Sequence, residues 1–238
     1  MILLIPTALF VVLFLILSSP LMAFEWLYRK TNPKKADLQS LRIVQWAFRM
    51  VIKLSGTHLT VNGLDNIPKG EAVLYVGNHK SIFDIVTTYQ LMPDRTGYVA
   101  KVSVLKIPLL RTWMKRLHCL FLDRNDKRAG MQMILDSIQL IKDGISVFIF
   151  PEGTRGKTDT LAEFKPGSVK MASKTGCAII PVAIKGTRAC FEDRKFFQFS
   201  CPVTITFGEP IYPNTLDSEQ QKFLSVYVQE KVEKMLAE

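Results

Sequence analysis

The sequence predicts an α/β protein: a mixed, largely parallel central sheet of about seven strands flanked by helices, preceded by a membrane-associated segment of two helices. Three observations predict it. Residues 1–24 carry no charged side chain. Residues 37–54 follow helical spacing, with an apolar face and a basic stripe. After Gly56, short apolar runs alternate with helical patterns, as strands and crossover helices do in an α/β sheet. A length of 238 residues suits one large domain, or a domain plus an anchor. The division expected is 1–55 for the hydrophobic and amphipathic membrane-binding helices and 56–238 for the α/β body.

The apolar N-terminus is a poor signal peptide, because no Lys or Arg precedes Arg29 and Leu21-Met22-Ala23 is a weak cleavage site. A spanning helix needs about 20 apolar residues. Pro20 interrupts the stretch, and Pro6 is tolerable only in a first helical turn. A shallow or re-entrant insertion and a true span both fit. Arg29, Lys30, Lys34 and Lys35 crowd the C-terminal flank, so the positive-inside bias puts the body on the cytoplasmic face, the inner membrane if the cell is bacterial. In the next helix Leu41, Val44, Phe48 and Val51 share one face, while Arg42, Arg49 and Lys53 recur on another. That pattern suits a helix lying in the lipid interface. The alternative is a helix docked on the core with a solvated basic side. Attraction to an anionic leaflet, about 1 kcal/mol per basic residue, accounts for part of the formal charge of +10.

Strands are expected at 58–61, 73–76, 97–100, 117–122, 145–150, 178–185 and 203–207, and helices at 82–91, 104–115, 128–142, 167–174 and 219–236. In 128–142, Met131, Ile134, Ile138 and Ile141 share a face and Gly144 can end the helix. Ser218 with Gln221 reads as a capping box for the last helix. The four cysteines form no C-x-x-C pair and no zinc-like spacing, which implies a reducing compartment and no metal.

Two segments carry chemistry. Asn78-His79-Lys80-Ser81-Ile82-Phe83-Asp84 follows the apolar run at 73–76, and Phe150-Pro151-Glu152-Gly153-Thr154-Arg155 follows the run at 145–150. Both sit at strand ends, where ligands gather in open α/β sheets. Positions five apart in a regular helix point about 140° away from each other. His79 and Asp84 can therefore face one another only if His79 lies in the loop and Asp84 in the first helical turn. Asp84 would then fix the tautomer and leave the other ring nitrogen as a general base. The plainer reading is a Ser81/Asp84 capping box with His79 as a loop residue, and the two readings can coexist. Ser81 is a conceivable nucleophile, but a helix start favours capping. No G-x-S-x-G elbow occurs. The simplest chemistry is direct attack by a deprotonated hydroxyl on an activated acyl carbon.

In the second segment Gly153 permits a tight turn, Arg155 presents a fork suited to phosphate, and Thr154 can donate another bond. Glu152 would orient Arg155 or a substrate hydroxyl. The bland alternative is a surface turn with a salt bridge. Lys101 and Arg124 also follow apolar runs and would sit on the same rim; singly, each reads as a solvated charge.

These residues resemble the 1-acylglycerol-3-phosphate O-acyltransferase family, within the wider glycerolipid acyltransferases. The resemblance runs over roughly residues 59–210, and the N-terminal insertion is also similar. Asn78-His79 with Asp84 matches the family's first block, in which the Lys80 position is variable. Phe121-Leu122-Asp123-Arg124 matches the second, Phe150 to Arg155 the third, and Ile179-Ile180-Pro181-Val182-Ala183 the fourth. Gly156 departs from the serine common after the Thr-Arg pair. The resemblance implies transfer of an acyl chain from acyl-CoA or acyl-carrier protein, as co-substrate and with no cofactor, to the sn-2 hydroxyl of lysophosphatidic acid, giving phosphatidic acid. It implies His79 as base, Asp84 as its partner, and Glu152, Gly153, Arg155 and Arg124 in acceptor binding, with Lys101 a phosphate contact. Competing readings are another acceptor, such as glycerol 3-phosphate or a different lysolipid, and a non-catalytic lipid-binding protein on the same fold. Nucleic-acid binding rests on charge alone, since the aromatics sit mostly in apolar runs and no recognised module appears.

Overall fold

The computed structural model describes residues 2–158 and 160–238. Seven strands form one sheet: β1 (Thr57–Asn62), β2 (Leu74–Gly77), β3 (Thr96–Lys101), β4 (Leu120–Leu122), β5 (Ser146–Ile149), β6 (Ile179–Lys185) and β7 (Cys201–Phe207), in the order β1-β7-β6-β2-β5-β3-β4. From β6 to β4 all pairings are parallel. β7 runs antiparallel to β6, and β1 pairs parallel with β7. The mixed, largely parallel sheet expected from the sequence is the one found.

Strand alternation divides the core in two. Leu74, Val76, Val147, Ile149 and Ile179 pack with α6 (Lys127–Lys142), α7 (Lys170–Thr175) and α9 (Leu224–Ala237). Tyr75, Phe148, Ile180 and Val182 point the other way, toward α3 (Pro33–Leu54), α4 (Phe83–Tyr89) and α5 (Pro108–Arg116). Buried on both faces, the central strands read as unbroken apolar runs.

Several boundaries differ from expectation for local reasons. Leu117 ends α5, and His118 adopts φ +57°, so the strand expected at 117–122 shortens to β4. Pro108 takes the first turn of α5 and splits the helix expected at 104–115 into a 3₁₀ turn and α5. The last helix breaks at Phe223 into α8 (Ser218–Lys222) and α9. Its capping box is Asp217 with Gln220, one residue earlier than Ser218 with Gln221, since the aspartate side chain reaches the Gln220 N–H at 2.8 Å. Gly144 does follow α6, with φ +75°.

At the N-terminus, α1 (Leu4–Leu17) and α2 (Ser19–Arg29) meet at 46°, with Pro20 in the first turn of α2. Among the described residues no single helix is long and apolar enough to cross a membrane; the bent pair together has the length and composition for it. The amphipathic helix α3 docks on the body: Leu41, Val44 and Val51 are buried in the core and Phe48 packs on Tyr89. Its apolar face is therefore spent on the protein interior and is not the lipid-facing surface expected, while Arg42, Arg49 and Lys53 remain exposed. Many of the exposed apolar side chains belong to α1 and α2, including Ile5, Leu9, Ile16, Leu17, Phe24 and Leu27.

A buried polar network ties α2 to the body. Glu25 Oε2 accepts from Ser40 Oγ at 3.0 Å and from Arg116 Nη1 at 2.8 Å. Asp37 binds Arg29 and lies 2.9 Å from His118 Nε2. Burial would raise the Asp37 pKa, but His118 and Arg29 outweigh it and hold the carboxyl below its ordinary 3.8. The stability from that pairing is present above the ordinary value and is lost as pH falls through the depressed one. Arg116→Met should leave Glu25 charged and buried without its cation and cost about 3–5 kcal/mol. The double variant Glu25→Leu/Arg116→Met should restore most of the loss. Urea unfolding in detergent measures both, and an unshifted midpoint for the single variant would refute the clamp.

Candidate active site

The site stands at the carboxyl ends of β2, β5 and β6, which lie side by side. Asn78, immediately after β2, clamps the chain to β6: its Nδ2 donates to the Ile184 carbonyl at 2.9 Å and its Oδ1 accepts from the Ile184 N–H at 2.8 Å. The chain then turns, and α4 begins only at Phe83. His79 thus lies in the loop and Asp84 in the first helical turn, the arrangement that lets them meet. His79 Nδ1 is 2.8 Å from Asp84 Oδ2.

Asp84 is fully buried, and an unpartnered carboxylate there would be costly. Oδ2 also accepts from the Lys80 and Ser81 N–H groups at 2.6 and 2.8 Å. Oδ1 accepts from Thr187 Oγ1 at 2.5 Å. Half of the capping-box reading holds as well. Asp84 reaches back to the Ser81 N–H, while Ser81 Oγ accepts from the Phe83 N–H at 3.0 Å and donates to Glu192 at 2.5 Å. Capping and pairing with His79 coexist in one carboxylate, and the Ser81 hydroxyl is engaged on both sides.

The second segment is stitched to the first. The His79 N–H donates to Glu152 Oε1 at 2.6 Å, and the His79 carbonyl accepts from the Gly156 N–H at 2.8 Å. The His79 ring stacks on Phe150, with centroids 4.2 Å apart. Glu152 is buried and turned inward, where it also accepts from the Ala162 N–H at 3.0 Å and faces Lys80 Nζ at 3.5 Å. It does not orient Arg155, one of the two roles the sequence suggested: the strand end points it into the protein, and Arg155 Nη1 pairs with Glu192 Oε1 at 2.8 Å instead. Gly153 has φ +74°, a backbone state that an L side chain resists. Thr154 is exposed at the tip of the turn. Lys80 Nζ occupies the space beside Gly156, where an added Cβ would approach it to 2.5 Å, so the missing serine hydroxyl leaves room for a buried lysine.

Arg124 lies two residues past β4. Partial desolvation, together with the charge of nearby Arg155, pushes its pKa below the ordinary value. An anion bound near both guanidiniums would relieve that repulsion. Lys101 is exposed as the last residue of β3, on the same edge but separated from β2 by β5. Among the described residues no group of His, Cys, Asp and Glu could hold a metal ion. Burial pushes the Cys119 thiol up to about 11 and the Cys190 thiol to about 12, so neither supplies a thiolate nucleophile.

Sequence reasoning missed three participants. Lys80 sits inside the first segment but has a side chain with no motif of its own. Thr187 stands just past the end of β6, a position the strand-end rule could have flagged. Glu192 carries no local signal, because only the fold brings it to Ser81, Ile82 and Arg155.

His79 and Asp84 face one another beside the turn that carries Arg155, and residues 58–185 match the acyltransferase family model. The chain belongs to that family, among the 1-acyl-sn-glycerol-3-phosphate acyltransferases. It is 31% identical over 193 residues to a probable 1-acyl-sn-glycerol-3-phosphate acyltransferase of Mycoplasma pneumoniae, with 72% of each chain covered. It is 35% identical over 130 residues to the chloroplastic 1-acyl-sn-glycerol-3-phosphate acyltransferase LPAT1 of Arabidopsis thaliana, covering 54% of this chain but only 36% of that protein. It thus spans about a third of that plant relative's length. The crystal structure of the 1-acyl-sn-glycerophosphate (LPA) acyltransferase PlsC from Thermotoga maritima superposes with a TM-score of 0.82 at 25% identity, covering 99% of this chain and 94% of that one.

Glu152→Gln should leave one of the two backbone N–H groups facing an amide donor, at a cost of about 1–3 kcal/mol. A lower melting temperature is the expected result, and an unchanged one would show that the two loops are held together some other way.

Proposed function

We propose that the protein transfers an acyl chain from acyl-CoA or acyl-carrier protein to the sn-2 hydroxyl of 1-acylglycerol 3-phosphate, giving phosphatidic acid. The observation that carries this reading is the 2.8 Å contact between His79 Nδ1 and Asp84 Oδ2, with Arg155 tied to the same loop through Glu192. Asp84 holds the Nδ1 proton, which leaves Nε2 to accept the proton of the acceptor hydroxyl. The oxygen attacks the thioester carbonyl carbon, the C–S bond breaks, and the departing thiolate takes the proton from His79. No covalent acyl-enzyme is required, consistent with the engaged Ser81 hydroxyl and the raised pKa values of Cys119 and Cys190. Arg155 and Arg124 bind the acceptor phosphate, with Thr154 and Lys101 on the same rim. Glu152 and Gly153 shape the turn that presents Arg155.

The acceptor is a lipid, and the exposed apolar side chains of α1 and α2 fit contact with a bilayer. The bend at Pro20 favours a shallow or re-entrant insertion over a straight span, and the basic flank at Arg29, Lys30, Lys34 and Lys35 supports a cytoplasmic side for the body.

His79→Ala should lower kcat by at least about 10²–10⁴, the usual worth of a general base, with folding intact. Full activity in that variant would sink the mechanism, and a non-catalytic lipid-binding role predicts no turnover even in the wild type. Arg155→Ala should raise KM for lysophosphatidic acid at least about tenfold, as loss of a charge-assisted contact implies, and leave KM for the acyl donor unchanged. Steady-state kinetics with lysophosphatidic acid, glycerol 3-phosphate and a neutral lysolipid check the acceptor. An unchanged acceptor KM would remove the phosphate assignment.

A further inference from the structure

We propose that the loop of residues 191–199, between β6 and β7, is a second bilayer-contacting element that inserts phenylalanines into an anionic lipid surface beside the active site. Four phenylalanines are exposed within nine residues: Phe191 at 47%, Phe196 at 56%, Phe197 at 72% and Phe199 at 56%. The loop is built to hold them out. Arg194 is buried and braces it from within, donating to the Cys190 and Gln198 carbonyls at 3.1 and 2.9 Å. Exposed aromatic clusters of this kind mark an interaction surface.

Charge and continuity identify the occupant. Both acids of the loop are paired within the protein, although the Asp193 side chain stays 54% exposed. Asp193 takes two bonds from Arg188, and Glu192 takes bonds from Ser81, Ile82 and Arg155. The outer surface presents the phenylalanines with Lys195 and an Asp193 whose charge is met by Arg188, and Lys53 is exposed three residues before Gly56, on which the Phe199 carbonyl packs. This combination suits an anionic headgroup layer over an apolar interior. The loop also continues the exposed face of α1. The Ile2 N–H approaches the Phe196 carbonyl at 3.4 Å, and Ile2, Ile5, Leu9, Val12 and Ile16 form one exposed stripe at helical spacing. A band about 20 Å long with an aromatic end is the shape of a membrane-seated surface, not of a closed pocket.

The loop reaches the chemistry through two contacts. Phe191 stacks on Phe83, next to Asp84, and Glu192 holds Arg155. A loop seated in lipid would set the anion-binding arginine at headgroup depth, so that an acceptor drawn from the bilayer meets it directly. That last step rests on the acceptor reading above; the lipid contact does not.

The test is binding of the purified full chain to vesicles of mixed phosphatidylcholine and phosphatidylglycerol, with no substrate present. Phe197→Ser should weaken partitioning about tenfold, and Phe196→Ser/Phe197→Ser about a hundredfold. Activity on vesicle-borne lysophosphatidic acid should fall in step, while activity on a short-chain, monodisperse lysophosphatidate stays within about twofold of wild type, as expected for side chains outside the chemistry. Should the double variant misfold, Phe197→Trp should show quenching by brominated lipids beyond that of the wild-type tryptophans. Unchanged partitioning, no added quenching, or lipid-free self-association abolished by Phe197→Ser would each overturn the proposal, the last in favour of a second copy as occupant. If vesicle binding falls as expected but lysophosphatidic acid is no substrate, the acceptor reading fails and the lipid contact stands.

Discussion

The buried Asp84 carboxylate is the constraint on which the site depends. A negative charge without solvent contact must be met by donors on every side. Here they come from the loop after β2, from the turn after β6 and from the histidine ring. Satisfying that one group forces the chain from Lys80 to Ser81 to wrap around it and brings Thr187 to β2. It also holds His79 out of the helix, where a regular spacing would have turned the two apart. Orientation of the imidazole is in this sense a by-product of satisfying a buried acid.

Glu152 repeats the solution one strand over. Its carboxylate gathers the His79 N–H, the Ala162 N–H and the Lys80 ammonium, so the second segment is fastened to the first through an acid that never faces the solvent edge. The charges of the site are sorted by depth. Acids lie inside and organise the backbone, whereas Arg124 and Arg155 lie outside, with Glu192 at the rim as counter-charge. A donor fork already held by a carboxylate is oriented before an anion arrives, which lowers the ordering cost of binding.

The fold was legible because its central strands are buried on both faces and so read as unbroken apolar runs, and because helical periodicity is strong in α6. Geometry alone stated the condition for a His79–Asp84 meeting, a loop position for His79, and left the Ser81/Asp84 capping box as the plainer reading. What escaped has physical causes. Glu152 looks in sequence like a partner for its neighbour Arg155, but a strand end decides which way a side chain points, and here it points inward. The apolar face of α3 has the periodicity of a lipid-facing helix and of a docked one alike, so packing against Tyr89 and the sheet had to decide. Glu192 is more than a hundred residues from Ser81 and Ile82, with no run of its own, and only the reversal at β7 delivers it.

That reversal also explains why the exposed apolar surfaces gather near the chemistry. β6 runs parallel to β2, so it ends on the edge where His79 stands. β7 returns antiparallel, and the connection between them therefore stays on that edge throughout. β1 pairs parallel with β7 and starts opposite Cys201, which brings the end of α3 and Gly56 to the same place. Gly56 in turn receives the Leu3 side chain and the Phe199 carbonyl, so the start of α1 and the aromatic loop converge on it. Had β7 and β1 joined the sheet parallel to the rest, the N-terminal helices would enter at the opposite edge, a full strand length of roughly 20 Å from the histidine. Two reversed strands thus let one edge of the sheet carry both the hydroxyl-activating pair and the apolar surface beside it.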